Sequence, residues 1–361
     1  MVMGPDDKIC YHSFAVTQHV LSGNPTTSAV MFATGVIGNL LALVFLAMRC
    51  KRQSLSLFYV LVTALLMKDL LGTLSVSPLV LTSYATNTTL KGMKNGEQLC
   101  TYFGFSMTFL SLATLGTVCA MAQERYLAIG HPYFHERHLN NRCGYFTIPV
   151  IYLCCIIFCV TPFVGFGSYV QYCPGTWCFL DMNPKDLRGK VYAGLYATIT
   201  LVMISGTVLC NISVIYHLVK MRQRRRARGQ GSRQKRFYQR SLSLTEEVEH
   251  LLLLSFITVV FCICSFPLVL RVYFNLTTRA EEKHYADLAA LRMLSFNSII
   301  DPWVFIIFNP SVLRFFWRQL RRPRALQPSE IKACPIQPKL VNSSSSTMET
   351  ANMNADLRHD P

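Results

Sequence analysis

Seven apolar blocks, each long enough to cross a bilayer, limit what this chain can fold into. They lie near residues 26–49, 57–83, 98–130, 143–166, 190–220, 248–274 and 287–308, separated by polar punctuation. A spanning helix needs about 20 predominantly apolar residues, and in hydrocarbon its backbone must satisfy its own hydrogen bonds. Of the 361 residues, 51% are hydrophobic and only 15% charged, against about 25% charged in an ordinary soluble domain. Mean hydropathy is +0.31. These values exclude a soluble globular enzyme. The expected fold is an all-α membrane protein, a seven-transmembrane helix bundle, with Pro78, Pro162, Pro267 and Pro302 interrupting its helices.

Lys and Arg set the expected orientation. They crowd the first connection (Arg49, Lys51, Arg52), the stretch 221–245 (Arg222 to Arg240) and the segment from Arg314 to Arg324. The positive-inside rule therefore puts the N-terminus outside and the C-terminus in the cytoplasm, as an odd number of spans requires. The net charge of +16 is read as a solvated basic loop over 221–240 attracted to anionic lipid, with no nucleic-acid partner. Residues 1–25 form the extracellular N-terminus, with no secretory signal pattern, so the first span is expected to direct insertion. Residues 26–308 form the bundle. Between 309 and 322, Val312, Leu313, Phe315, Phe316 and Leu320 alternate with arginines, the pattern of an amphipathic helix lying in the inner interface. The Ser- and Pro-rich segment 323–361 reads as a disordered cytoplasmic tail. Asn87 and Asn275 head glycosylation sequons in outside loops, whereas Asn211 and Asn342 fall in a span and in the cytoplasm. Cys10, Cys100, Cys173 and Cys178 face the oxidising side, where bridges persist.

Ionisable residues inside spans are costly and so mark function by default. Asp69 lies in the middle of span two and Asp301 in span seven, either as polar glue between helices or as a switch. Lys68 stands beside Asp69, about 100° round the helix from it, and has no assigned role. Glu124-Arg125-Tyr126 closes span three, and Arg292 sits in the outer half of span seven, where it either snorkels or binds an anion.

These residues resemble the class A (rhodopsin-like) G-protein-coupled receptors across all seven spans. The resemblance rests on Gly38-Asn39-Leu40-Leu41, Leu66 to Leu71 around Asp69, Cys100 opening span three, Glu124-Arg125-Tyr126 and Asp301-Pro302-Trp303. The second outside loop, Gln171-Tyr172-Cys173-Pro174-Gly175-Thr176-Trp177-Cys178-Phe179, and the run Leu291 to Ser295 are similar to the prostanoid receptor subfamily. Ser265 stands where most class A members carry a switch tryptophan. Ser54 to Phe58, Cys100 to Phe103 and Met107 to Phe109 most resemble the relaxant, Gs-coupled prostaglandin E receptors.

The resemblance implies prostaglandin E2 as ligand and coupling through Gs to raise cAMP. The alternative is a prostaglandin D or prostacyclin receptor. It implies Arg292 as the carboxylate's cation, Thr176 and Tyr84 as hydroxyl donors to the same carboxylate, and Ser28 and Ser295 as ring contacts. Trp177 stands at the mouth. A guanidinium suits the task because its planar fork engages both carboxylate oxygens. The resemblance also implies a Cys100–Cys178 bridge, which leaves Cys10 and Cys173 either bridged or free. Glu124, Arg125, Tyr126, Asp69, Asp301 and Ser265 become the activation set. A heterotrimeric G protein, arrestin and receptor kinases become partners beside membrane lipid, and no cofactor is implied. A metalloenzyme reading has only His131, His135 and His138 behind it, one cluster in a short basic loop where membrane desaturases need several. A retinal-type pump needs a lysine in span seven, which has none.

Overall fold

The computed structural model describes residues 19–20, 25–50, 57–138, 141–227, 234–277 and 284–307. Cys10, the 309–322 helix and the tail lie outside the described residues. The helices are α1 (Pro25–Cys50), α2 (Leu57–Thr86), α3 (Gly96–Gly130), α4 (Pro132–His138), α5 (Asn141–Val160), α6 (Leu187–Ala227), α7 (Gln234–Thr277) and α8 (His284–Ile307). All except the short α4 are long and apolar enough to cross a bilayer, in keeping with seven spans. Their polarity is inverted relative to a soluble bundle. On α5, Phe146, Val150, Leu153 and Ile157 are exposed, while Asn39, Asp69, Thr114, Asn211 and Asp301 are buried between helices.

The bundle is organised around α3, the most buried span, which packs against α2, α5, α6, α7 and a two-stranded hairpin. Small side chains at Ala113, Thr117 and Ala122, all fully buried, let neighbouring helices approach it. Two large apolar cores result. One lies under the hairpin and includes Leu90, Phe103, Trp177, Phe179, Tyr192 and Leu291. The other includes Phe58, Leu61, Leu65, Met121, Leu254 and Phe305. Along α2, α3 and α8, the polar residues Asp69, Thr114, Asn297 and Asp301 fall between the stretches that feed these cores.

The hairpin pairs β1 (Tyr169–Tyr172) with β2 (Trp177–Leu180) antiparallel, Gln171 opposite Cys178 and Tyr172 opposite Trp177. Gly175 turns it at φ 101°, a conformation that carries no penalty only for glycine. Cys178 is bridged to Cys100 at the start of α3, and Phe103 meets Trp177 edge-on at 5.8 Å. The Tyr172 hydroxyl donates to the Leu180 carbonyl at 2.8 Å, and Tyr169 donates to the Cys159 carbonyl at 2.8 Å. Burial pushes the Tyr169 phenol far above its ordinary pKa. Every residue from Gln171 to Leu180 is buried, so the hairpin is a lid.

Several expectations are corrected. The basic stretch is not a loop from residue 221: α6 continues to Ala227 and α7 already begins at Gln234. Met, Arg, Gln and Ala are all good helix formers, and arginines in a last turn complement the helix dipole. The connection after His131 is the helix α4, which Pro132 opens at the position where its missing N–H costs nothing. Pro162 does not interrupt a longer helix; α5 ends at Val160 and passes into a 3-10 turn, Thr161–Val164. Asn275 is not in an outside loop but within the last turn of α7, its amide reaching Asp287 Oδ1 at 3.5 Å. Asn87, by contrast, is exposed in a turn at φ 51°.

The lid rests on α3 at Gly104, where a Cβ would stand 2.7 Å from Cδ1 and 2.9 Å from Cβ of Tyr169. Because Tyr169 is tied to Cys159, it cannot give way. Gly104→Ala is expected to destabilise the purified protein by about 1–3 kcal/mol, read as a lowered thermal midpoint. Gly194→Ala, whose nearest neighbour is Leu276 at an ordinary 3.5 Å, is expected to hold or raise it.

Candidate functional site

Beneath the lid lies a cavity walled by α1, α2, α3, α7 and α8. Trp177 of β2 roofs it. Met107, Leu110, Phe261 and Leu294 supply apolar lining from α3, α7 and α8. Met31 of α1 and Val76 and Val80 of α2 line it as well, a contribution the sequence did not announce. Ser28 and Ser295 are on the wall, together with Ser77, Ser111 and Thr114. These last three were missed, because a lone hydroxyl in a span carries no signal separating a cavity wall from a back-bond to its own helix.

Arg292, Thr176 and Tyr84 do not line the cavity itself; they flank its lid end. Arg292 lies three residues from Ser295, about 4.5 Å nearer the lid along α8. Tyr84 is one turn beyond Val80, and Thr176 is the neighbour of Trp177. The polar state of these groups is unusual. The Tyr84 hydroxyl, Thr176 Oγ1 and Trp177 Nε1 are all buried without a hydrogen-bond partner, an arrangement that costs about 1–3 kcal/mol for each group left unsatisfied. Arg292 is half-buried and has no ion pair or hydrogen bond among the described residues. Three donors and a guanidinium thus flank one end of an apolar cavity without an acceptor among the described residues. A carboxylate on an apolar chain satisfies that set.

Arg271, also near the lid end, behaves differently. Its Nε donates to Asp287 Oδ1 at 2.8 Å and its Nη2 stands 2.7 Å from the same oxygen, which ties α7 to α8. This arginine is structural.

At the opposite end of α3, Glu124 and Arg125 are both nearly inaccessible and form a two-pronged pair. Arg125 Nη2 donates to Glu124 Oε1 at 2.6 Å and Nε donates to Oε2. The guanidinium also lies 4.8 Å from the Phe58 ring centroid, a cation–π contact. His135 of α4 approaches Glu124 Oε1 at 3.2 Å. Tyr126 turns away to His131, with a ring-to-ring distance of 5.6 Å. His131 and His135 therefore serve separate partners, and no group of three metal-ligating side chains converges among the described residues. In mid-bundle, Ser265 accepts from Asn297 Nδ2 at 3.3 Å, so a hydrogen bond from α8 stands where a large aromatic ring was absent from the sequence. Cys173 is disulfide-bonded; Cys10 lies outside the described residues.

Residues 38–305 match the sequence pattern of the 7 transmembrane receptor (rhodopsin family). The chain is 45% identical over 361 residues to the prostaglandin E2 receptor EP2 subtype of Mus musculus, covering 94% of each. It is 42% identical over 316 residues to the prostaglandin D2 receptor of Mus musculus, covering 82% of this chain and 88% of that one. Among solved structures, squid rhodopsin superposes with a TM-score of 0.72 at 15% identity, covering 88% of this chain and 84% of that one.

The contrast between the two arginines is testable without any ligand. Arg271→Leu takes the paired cation from the buried Asp287 and is expected to cost about 3–5 kcal/mol, seen as a large drop in thermal midpoint. Arg292→Leu removes a cation that has no partner among the described residues and is expected to change stability by no more than about 0.5 kcal/mol.

Proposed function

Because the chain belongs to the rhodopsin family of seven-transmembrane receptors, and within it to the prostanoid receptors, we propose that it is a cell-surface receptor for prostaglandin E2 that couples through Gs to raise cAMP. It is a receptor and not an enzyme. The lid end faces outside, with Asn87 carrying glycan, and the end bearing Arg125 faces the cytoplasm, where the Lys and Arg of the connections gather. Arrestin and receptor kinases act on the same face.

Arg292 carries the ligand reading. Among the described residues it is a permanent cation with no counter-charge, one turn from the wall of an apolar cavity and accompanied by the orphan groups of Tyr84, Thr176 and Trp177. In this reading the ligand's carboxylate takes the Arg292 fork and the Thr176 and Tyr84 hydroxyls. Its ring meets Ser28 and Ser295, and its hydrocarbon chain fills the slot lined by Met107, Leu110 and Leu294. The buried lid closes the route from water, so the lipid comes in sideways between helices. The expected discrimination against prostaglandin D and prostacyclin rests on fine shape in this cavity, and competition among five prostanoids on transfected cells decides it.

Signalling follows from differential binding: the ligand shifts the equilibrium only by as much as it prefers the active arrangement. The resting arrangement is the one in which Glu124 holds Arg125 under Phe58. Releasing that pair frees a guanidinium at the cytoplasmic end for the G protein.

Arg292→Ala, confirmed at the surface, is expected to lose about two to three decades of affinity, equivalent to about 3–5 kcal/mol for one partner of a desolvated pair. Arg292→Lys is expected to fall in between, since it keeps charge without the fork. A methyl ester of prostaglandin E2 assayed in esterase-free membranes is expected to bind like the natural acid does to Arg292→Ala; equal potency of ester and acid on the wild type refutes the assignment.

Glu124→Gln removes the charge that holds Arg125. Ligand-free cAMP is expected to rise several-fold over wild type at equal surface expression, in line with a coupling of about 1–2 kcal/mol. Unchanged basal cAMP dissociates the pair from the resting state.

A further inference from the structure

The cavity draws its wall from α1, α2, α3, α7, α8 and the lid, and from no residue of α6 among the described residues. Yet α6 is a single rod, with no proline from Leu187 to Ala227. Toward its far end Val214 and Leu218 pack with Leu251 of α7 and with Tyr126 and Ile129 of α3, Tyr126 being the residue next to Arg125. A ligand in the cavity therefore reaches α6 only through an intermediary. Ser111 and Tyr196 supply it.

Ser111 is a cavity-wall residue of α3, and its Oγ lies 3.0 Å from the Tyr196 hydroxyl of α6. The direction of that bond follows from where the protons go. A serine hydroxyl has one to give, and Ser111 donates it to the Thr108 carbonyl at 2.8 Å. Tyr196 is therefore the donor, and the Ser111 oxygen accepts from it. Tyr196 itself is 1% exposed. Its ring meets Phe179 of the lid edge-on at 5.7 Å and lies 6.5 Å from the Phe158 ring of α5. One buried side chain thus joins α6 to the lid, to α5 and, through a single hydrogen bond, to the cavity wall.

We propose that Tyr196 is a positioning residue through which an occupant of the cavity acts on α6. Its tie to Ser111 is present in the arrangement in which Glu124 holds Arg125, and the role assigned to Tyr196 rests on that arrangement being the resting one. An occupant that lodges against Ser111 competes with Tyr196 for the serine's lone pairs. The phenol then leaves Ser111 and moves with α6, and the rod carries the displacement about 27 Å along by helical rise to Val214. There it loosens the packing of α6 on Leu251 and Tyr126. The occupant shifts the equilibrium because it fits the cavity better once the phenol has left. Tyr196 is not among the residues lining the cavity, so removing its hydroxyl acts on the equilibrium and not on ligand contacts.

The experiment is ligand-free nucleotide exchange, catalysed by the purified receptor on a panel of G proteins from every α class and normalised to folded receptor. It depends neither on Gs nor on the lipid that the cavity takes. Tyr196→Phe keeps the ring and removes only the donor. Exchange is expected to rise about two- to tenfold over wild type, the factor that one net hydrogen bond is worth. Ser111→Ala removes the acceptor and is expected to give a rise of the same size; it decides the matter if Tyr196→Phe resists purification. The double variant is expected to rise no further, because both changes break one bond. A lowered thermal midpoint with unchanged exchange marks Tyr196 as merely structural and overturns the proposal. A fall in exchange overturns it too, as does a double variant in which the two rises multiply. Glu124→Gln in the same assay reports on the resting state separately. A rise there with Tyr196→Phe unmoved refutes the role of Tyr196 alone, whereas a rise in Tyr196→Phe beside an unresponsive Glu124→Gln refutes the reading of the ion pair and upholds that of Tyr196.

Discussion

Charge in a water-poor interior has to be answered by charge or by hydrogen bonds, and this constraint organises the bundle. Arg125 is answered by Glu124 and by the face of Phe58, Lys68 by Asp69 and Thr114, and Arg271 by Asp287. The contacts of Arg125 with Phe58, of Lys68 with Thr114 and of Arg271 with Asp287 tie helices that would otherwise slide, since between apolar helices in lipid there is little hydrophobic preference for one register over another. Against that background Arg292 stands apart. Among the described residues it is a cation without an answering group, at the lid end of a cavity.

The seven spans were legible because the bilayer imposes length and composition on any crossing segment, and both can be counted along the chain. The basic extensions of α6 and α7 were not, since a basic stretch of good helix formers carries no apolar period to distinguish it from a loop. Pro162 misled for a related reason: a proline marks a disturbance in a helix without saying whether the helix survives it.

Within the candidate site, Arg292, Thr176, Tyr84, Ser28, Ser295 and Trp177 came from resemblance to a family, and their spatial grouping came from the fold. Lys68 illustrates a limit of reading directions from helical angles. Its Cα vector does point away from that of Asp69, yet four methylenes let the ammonium swing back to the carboxylate. Ser77, Ser111 and Asn297 escaped notice because an uncharged polar side chain in a span is ordinary, and only neighbours reveal whether it faces a cavity. Ser265 could be flagged as a departure, but its acceptance of a hydrogen bond from Asn297 needed the third dimension.

The path of α3 has a consequence of its own. One uninterrupted helix carries Cys100, bridged to the lid, and Arg125, about 38 Å further along by helical rise. The lid is fastened to this rod by a covalent bridge, by the Phe103–Trp177 contact and by the seat of Tyr169 on Gly104, so the two move as one piece. Reciprocity then applies: if gripping the rod at its lower tip changes how tightly a guest is held beneath the roof, the guest changes that grip by the same factor. Affinity becomes a property shared by both ends of a single helix.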